Sequence, residues 1–335
     1  MIDTIGLSDI HGGINLIDLG SSGQLSSYWS PLAGFINLYA FDPNEEECRR
    51  LSVTPNAFAS ATYIPEAVAG HKGAFTLYKT RSVYCWSLLE PDSRWLSRFS
   101  YHDLFTVEST STIEATTLED VEQLRGVDVD AIKSDTQGLE LPILEAALSK
   151  VDSVFLIETE TGLVENYKQE TTFHQISRFM QEKHFLLFDI NMNHRISRAN
   201  QFVKETRNHQ ILWCEAIWLK DYIRIDMERG LGIDRPKALK ALLMCANHGC
   251  IDYGFELATL FFKKGLIIQD EYDSLKHRDG WMLSKRDQPG RGMRGIIRSA
   301  VECVPKRYSA ALGSIMLESS KRPYPFGRMF RHRRR

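Results

Sequence analysis

The sequence predicts an α/β fold: a largely parallel sheet with helices on both faces. Three observations carry this. Short apolar runs alternate with helix-period segments through the first two-thirds of the 335 residues. Ile14–Leu19, Ile36–Phe41 and Val129–Ser134 are near-continuous apolar runs, as expected of strands buried on both faces. Each of these three is followed by glycine or aspartate, residues suited to a turn out of a sheet.

The elements follow in order. Ile14–Leu19 is the first strand, ended by Gly20-Ser-Ser-Gly23, and Ile36–Phe41 is the second, ended by Asp42-Pro43. A helix starts at Asn44, a good N-cap, with Glu45–Glu47 where the helix dipole favours acids. Thr62–Ala69 reads as a third strand, His71-Lys72-Gly73 as a turn, and Ala74–Lys79 alternates as a solvent-touched strand does. Residues 80–110 are irregular and rich in Trp and Tyr. Thr112–Leu118 is a further strand candidate, and Thr117 with Asp120 resembles a capping pair that opens a short helix. After Val129–Ser134 comes a helix from Leu139 to Lys150, then the strand Val154–Glu158. Thr172–Lys183 is amphipathic, with Phe173, Ile176, Phe179 and Met180 on one face. Phe185–Ile190 and Ile211–Leu219 complete the sheet. Beyond Lys220 the character changes. Residues 221–284 read as a helical extension to a domain spanning 1–220, and 285–335 as a basic, disordered tail.

The net charge of −2 conceals an asymmetry. Residues 285–335 hold fourteen Lys or Arg against three acids, a net +11, so residues 1–284 carry −13. Such a tail suits an anionic surface: lipid, acidic polymer or nucleic acid. Phe326, Met329 and Phe330 among its arginines favour a membrane surface. A solubilising tail with no partner is the alternative. Six scattered cysteines read as free thiols in a reducing cytoplasm. No apolar run approaches the roughly 20 residues that span a bilayer.

In open α/β sheets the ligand lies outside the carboxyl ends of the strands. There the sequence offers Asp18, Gly20, Ser22 and Gly23 after the first strand, Asp42 and Pro43 after the second, and Asp135 after Val129–Ser134. Glycines let backbone approach a ligand closely, and an acid after the second strand is placed to accept from two ribose hydroxyls. Turn chemistry alone also puts Gly and Asp at strand ends, but three acids and two glycines at successive ends argue for an adenosine cofactor. Gly20-x-x-Gly23 lacks the G-x-G-x-x-G spacing that a pyrophosphate needs. Asp18 suits a cofactor with a cationic amino-acid end. Candidate bases are Asp135, Glu158, Glu160 and His102, and Lys133 either salt-bridges an acid in the site or is solvated.

Leu16-Ile-Asp-Leu-Gly-Ser-Ser-Gly-Gln24, Phe41-Asp-Pro-Asn-Glu-Glu-Glu-Cys48, Leu118-Glu-Asp120 and Ile132-Lys-Ser-Asp-Thr-Gln-Gly-Leu-Glu-Leu-Pro-Ile-Leu144 together resemble the FkbM-type methyltransferase family. The likeness runs on through Ser87-Leu-Leu-Glu-Pro91, Tyr167, Phe173 and Glu215-Ala-Ile-Trp218, over residues 14–220. It implies a Rossmann-like class I methyltransferase fold with a mostly parallel seven-stranded sheet, S-adenosylmethionine as cofactor, and transfer to an oxygen of a sugar, glycan or small metabolite. On that resemblance Asp18 and Gly20 hold the methionine end and Asp42 the ribose. Asp135 sits by the methionine moiety or the acceptor, with Gln137, Gly138 and Glu140 shaping the pocket. Asp135, Lys133 and Glu158 are the residues expected to act in catalysis. The chain has Asp42 where the family commonly has Glu, and Gln24 where it has glycine.

Two other classes stand beside this one: a nicotinamide-dependent oxidoreductase, and a binding module with an idle methyltransferase-like fold. Bound cofactor separates the first and turnover the second. Cys245-x-x-His248-x-Cys250 offers three ligands where structural zinc needs four, so a helix end closed by Gly249 is the better reading and no metal is expected. The aromatic residues of 80–105 either stack an acceptor or cap the edge of the sheet.

Overall fold

The computed structural model describes residues 10, 12–20, 25, 27–199, 209–277 and 281. Its centre is a seven-stranded sheet. In chain order the strands are β1 (Ile14–Leu19), β2 (Ile36–Phe41), β3 (Ser60–Ile64), β7 (Ala131–Ser134), β8 (Leu156–Gly162), β9 (Phe185–Asn191) and β12 (Trp213–Lys220). In space they run β3-β2-β1-β7-β8-β12-β9. Neighbours from β3 to β8 are parallel, whereas β12 lies antiparallel between β8 and β9. That order gives the mostly parallel, seven-stranded sheet expected from the sequence. It reverses direction between β1 and β7, which opens a crevice at their carboxyl ends.

The pleat sorts side chains between two cores. Leu16, Leu38, Ala131 and Leu156 face one apolar cluster, and Ile17, Phe41, Ile132 and Ile157 face the other. The second is closed by α3 (Glu140–Ala146), α4 (Leu148–Ser153) and α5 (Phe173–Glu182). The first takes its cover from an unexpected quarter. Trp29 and Leu32, from a 3-10 segment between β1 and β2, join Leu239, Leu242, Leu243, Leu257 and Phe261 of α7 (Arg235–Asn247) and α8 (Ile251–Lys263). With α6 (Tyr222–Arg229) and α9 (Gln269–Leu275), the helices after residue 220 therefore share a core with β1 and β2.

Several elements depart from the periodicity. The expected strand 62–69 is two: Pro65 cannot donate to a ladder, so β3 stops at Ile64 and β4 (Ala67–Val68) joins a separate sheet. That sheet is β4-β6-β5, built on the hairpin of β5 (Gly73–Thr80) and β6 (Val107–Thr116). The expected helix 139–150 breaks at Ala147, whose ψ of 39 leaves the helical region, giving α3 and α4. Thr117 does donate to Asp120 at 2.7 Å, but the pair closes a turn, and only a 3-10 segment (Glu122–Leu124) follows. Within 80–110 lie the short α2 (Ser93–Leu96), capped by Asp92, and two 3-10 turns. The cap read from sequence at Asn44, before α1 (Glu45–Ser52), is in place, and Thr172 with Gln175 forms a capping box at the start of α5. A two-stranded pair, β10 (Arg195–Ile196) and β11 (Gln210–Ile211), precedes β12. No helix among the described residues is long and apolar enough to cross a membrane.

Candidate active site

The crevice between β1 and β7 gathers most of the residues picked from sequence. Gly20 leaves β1 with φ +82°, its N–H donating to Phe41 O at 3.1 Å. A Cβ built on it would lie 1.9 Å from the carbonyl oxygen of Asp135. Only glycine lets the ends of β1 and β7 touch at this point, and Asp135 N–H completes the contact by donating to Leu19 O at 3.1 Å.

Asp18 and Lys133 face each other across the β1–β7 ladder, and Lys133 Nζ donates to Asp18 Oδ1 at 3.0 Å. Burial opposes the lysine's charge, but Asp18, Asp135 and Glu160 around it push its pKa above the ordinary lysine value. Lys133 is thus a fixed cation in the floor of the crevice, which decides between the two readings the sequence left open. Asp42 is buried at the end of β2, where Oδ1 accepts Asn44 N–H at 2.7 Å. Burial raises its carboxyl to about 6, with Glu47 and Asp18 adding to the shift against the Asn44 bond. Pro43 beside it is exposed and serves the turn into α1.

The loop after β7 is held on every side. Buried Glu140 accepts Thr136 N–H at 2.8 Å, the Thr136 hydroxyl at 3.0 Å and Gly138 N–H at 3.2 Å. Burial still drives its carboxyl up to about 8 against those donors. Gly138, at φ +111°, packs against Leu89 and the Glu170 side chain. Gln137, at φ +56°, donates from Nε2 to Asp135 Oδ1 at 2.7 Å. Burial raises the Asp135 pKa, and Lys133 and Gln137 pull against it.

Two carboxylates join this group from the neighbouring strands. Glu160 of β8 stands opposite Glu215 of β12. Burial raises the Glu160 pKa well above the usual range, with Asp135 and Glu215 adding to the shift. Glu215 goes the other way: although burial raises it, His194 at 3.4 Å and Asn191 Nδ2 at 2.8 Å hold it below the ordinary glutamate value. Glu158 lies one turn of the pleat below Glu160, opposite Lys133 in register. There it accepts from His248 Nε2 at 2.9 Å, at the end of α7. Asp135, Lys133 and Glu160 are thus brought together, and Glu158 is engaged by a helix instead.

The remaining candidates fall elsewhere. His102 Nδ1 meets Phe99 O at 2.8 Å inside the insert. Ser22 and Gly23 lie outside the described residues, as does the tail 285–335. His248 is held by Glu158 and Met244 O, and no group of three or more metal-ligating side chains occurs among the described residues. The insert's aromatics pack on one another and on later strands: Trp95 on Phe99, Tyr101 on Phe105 and Trp213, and Phe105 on Tyr167. Sequence reasoning missed His194, whose only signal was its place before the final strands.

A doubly wound sheet with a glycine exit, an acid after its second strand and a charged group at its switch point is built to take a ligand outside the carboxyl ends of its strands. Residues 25–187, just under half of the chain, match the Methyltransferase FkbM domain. Comparison with the curated proteins finds no match. Among solved structures the chain is similar to PH1948 of Pyrococcus horikoshii, described as a candidate RNA methyltransferase. That likeness has 14% identity and a TM-score of 0.29, over 64% of this chain and 78% of that one. It is also similar to Sp1610 of Streptococcus pneumoniae, described as a candidate tRNA (m1A22) methyltransferase, at 12% identity and a TM-score of 0.30, over 83% and 93%. Likenesses this weak carry no argument about the site or the acceptor.

Proposed function

We propose that the chain transfers a methyl group from S-adenosylmethionine to a hydroxyl oxygen of a sugar, glycan or small metabolite. The observation that supports this best is the Asp18–Lys133–Asp135 assembly at the β1–β7 switch point. The residues fit the cofactor. Asp42 Oδ2 takes no hydrogen bond among the described residues, so its carboxylate is open to a ribose diol. Asp18 and Gly20 line the exit of β1, where the methionine end belongs. The sulfonium methyl arrives activated, so the protein's task is alignment, which can lower a barrier by roughly 7–11 kcal/mol. In this reading Asp135 takes the hydroxyl proton and Lys133 fixes the surrounding carboxylates.

Calorimetry with S-adenosylhomocysteine tests the cofactor. Binding of micromolar order, about −8 kcal/mol, is expected, and Asp42→Ala should weaken it by roughly 1–3 kcal/mol. The pH dependence has a definite sign. Asp42 is neutral below a pKa of about 6, so affinity should fall as pH drops through that value, and the fall should vanish in Asp42→Ala. Tight NADH binding with no binding of S-adenosylhomocysteine would overturn the assignment.

The basic tail is read from charge alone. Truncation after Ser284 should leave cofactor affinity and melting temperature nearly unchanged. It should also remove a salt-sensitive association with anionic liposomes, since exposed charges are screened within about 8–10 Å at ordinary ionic strength. A much earlier melt would show that the tail packs on the domain.

A further inference from the structure

Around Asp135 there is one hydroxyl proton too few for the acceptors that want it. The Gln137 side-chain amide lies between Asp135 Oδ1 at 2.7 Å and Tyr167 Oη at 2.8 Å. Tyr167 Oη also lies 3.1 Å from the carbonyl oxygen of Cys85. The backbone under the amide is locked. Gln137 sits at φ +56°, Ser87 Oγ donates to its carbonyl at 2.8 Å, and Gly138 N–H is held by Glu140. On that fixed backbone the amide can reverse end for end between the same two neighbours.

Two arrangements satisfy the hydrogen atoms. With Asp135 ionised, Gln137 Nε2 donates to it, and Oε1 accepts the Tyr167 proton, leaving the Cys85 carbonyl unserved. With Asp135 protonated, its O–H needs an acceptor. A reversed amide offers Oε1 to Asp135 and Nε2 to the tyrosine oxygen, and the tyrosine proton then turns to Cys85 O. We propose that Gln137 and Tyr167 form a two-state hydrogen-bond relay that reverses as Asp135 gains and loses a proton. Both are positioning residues, and the proposal builds on the reading of Asp135 as the base. As the methyl–oxygen bond forms, the sulfur–methyl bond breaks with its electron pair staying on sulfur. The acceptor's hydroxyl proton passes to Asp135, the relay reverses, and the proton is released to solvent before the next turnover.

The surroundings place this proton within reach. The charged and titratable groups facing Asp135 are Lys133 of β7, Asp18 of β1, Glu160 of β8 and Glu215 of β12, with Cys85 and Tyr167 from the connecting segments. Burial raises the Asp135 carboxyl, and Lys133 with the Gln137 amide holds it back.

NMR on the full chain, without cofactor or acceptor, tests the relay. Three signals are followed with pH: Asp135 ¹³Cγ, assigned by its loss in Asp135→Asn; the Gln137 side-chain amide; and the Cys85 carbonyl. The last is resolved by labelling Cys ¹³C′ with Trp ¹⁵N, because Cys85-Trp86 is the only Cys-Trp step in the sequence. All three should share one midpoint. Tyr167→Phe should abolish the Cys85 response while Asp135 still titrates. Gln137→Met should raise the Asp135 midpoint by about one pH unit, a tenfold change in proton affinity. Flat Gln137 and Cys85 signals across the Asp135 titration would overturn the proposal. So would an Asp135 that never titrates while the fold survives, or an unmoved midpoint in a folded Gln137→Met. If that variant does not fold, the wild-type coupling and Tyr167→Phe decide. An Asp135→Asn variant that still methylates refutes the base and leaves the relay standing.

Discussion

Asp135→Asn is expected to lower methyl transfer by roughly 100- to 10,000-fold, the usual worth of a positioned general base, without unfolding the protein. Asparagine has the same shape and can still accept from Gln137 at Oδ1, so the loop after β7 keeps its hydrogen bonds. What it cannot do is take a proton. The assay is transfer of labelled methyl from S-adenosylmethionine to a panel of mono- and oligosaccharides, with circular dichroism and S-adenosylhomocysteine calorimetry as controls. Unchanged affinity with lost transfer is the expected pattern. Near wild-type turnover would reduce Asp135 to a turn residue and move attention to Glu160, which shares its electrostatic neighbourhood.

The largest effect on stability is expected far from the crevice, at Asp130. This residue is fully buried just before β7, with Oδ2 accepting Lys240 Nζ at 2.8 Å and Asn15 N–H at 2.9 Å. Oδ1 pairs with Lys237 Nζ at 3.2 Å. Both lysines come from α7 and are themselves buried. Asp130→Ala leaves two ammonium groups facing an apolar interior with less countercharge, and breaking a buried pair in this way costs about 3–5 kcal/mol. Urea unfolding of the full chain measures it. A loss below about 1 kcal/mol, the scale of an exposed pair, would mean that water reaches the cluster. Asp130→Asn should fall between, because it keeps an acceptor and loses the charge.

What was legible in the sequence follows from burial. β1 and β2 were read to the residue, because a strand buried on both faces leaves a continuous apolar run that stops where the sheet does. β8 was read as starting two residues early and ending four residues early, which gave Glu158 the place at its end. Val154 and Phe155 are apolar but belong to the connection after α4, and the strand runs on through Glu-Thr-Glu-Thr to Gly162. These polar residues belong to the strand all the same: Thr159 and Thr161 are buried, and Trp218 Nε1 donates to Thr159 Oγ1 at 3.1 Å. Taking the apolar run as the strand made Glu158 its last residue. The true end puts Glu160 beside Asp135 and Lys133. The role of residues 221–284 was illegible for a different reason. An apolar stripe announces that a helix is buried without naming what it is buried against, and α7 and α8 turn out to share a core with β1.

That last pairing sets an order of events during synthesis. Leu16 and Ile14 leave the ribosome more than two hundred residues ahead of Leu239, Leu257 and Phe261, which join them in one cluster. Until those helices arrive, one face of the central sheet has only Trp29, Leu32 and their neighbours to shelter it. Closure over so long a stretch of chain is slow, and a half-covered sheet is prone to sticking. The nascent chain therefore has a long interval of vulnerability, in which the crevice between β1 and β7 exists only in outline.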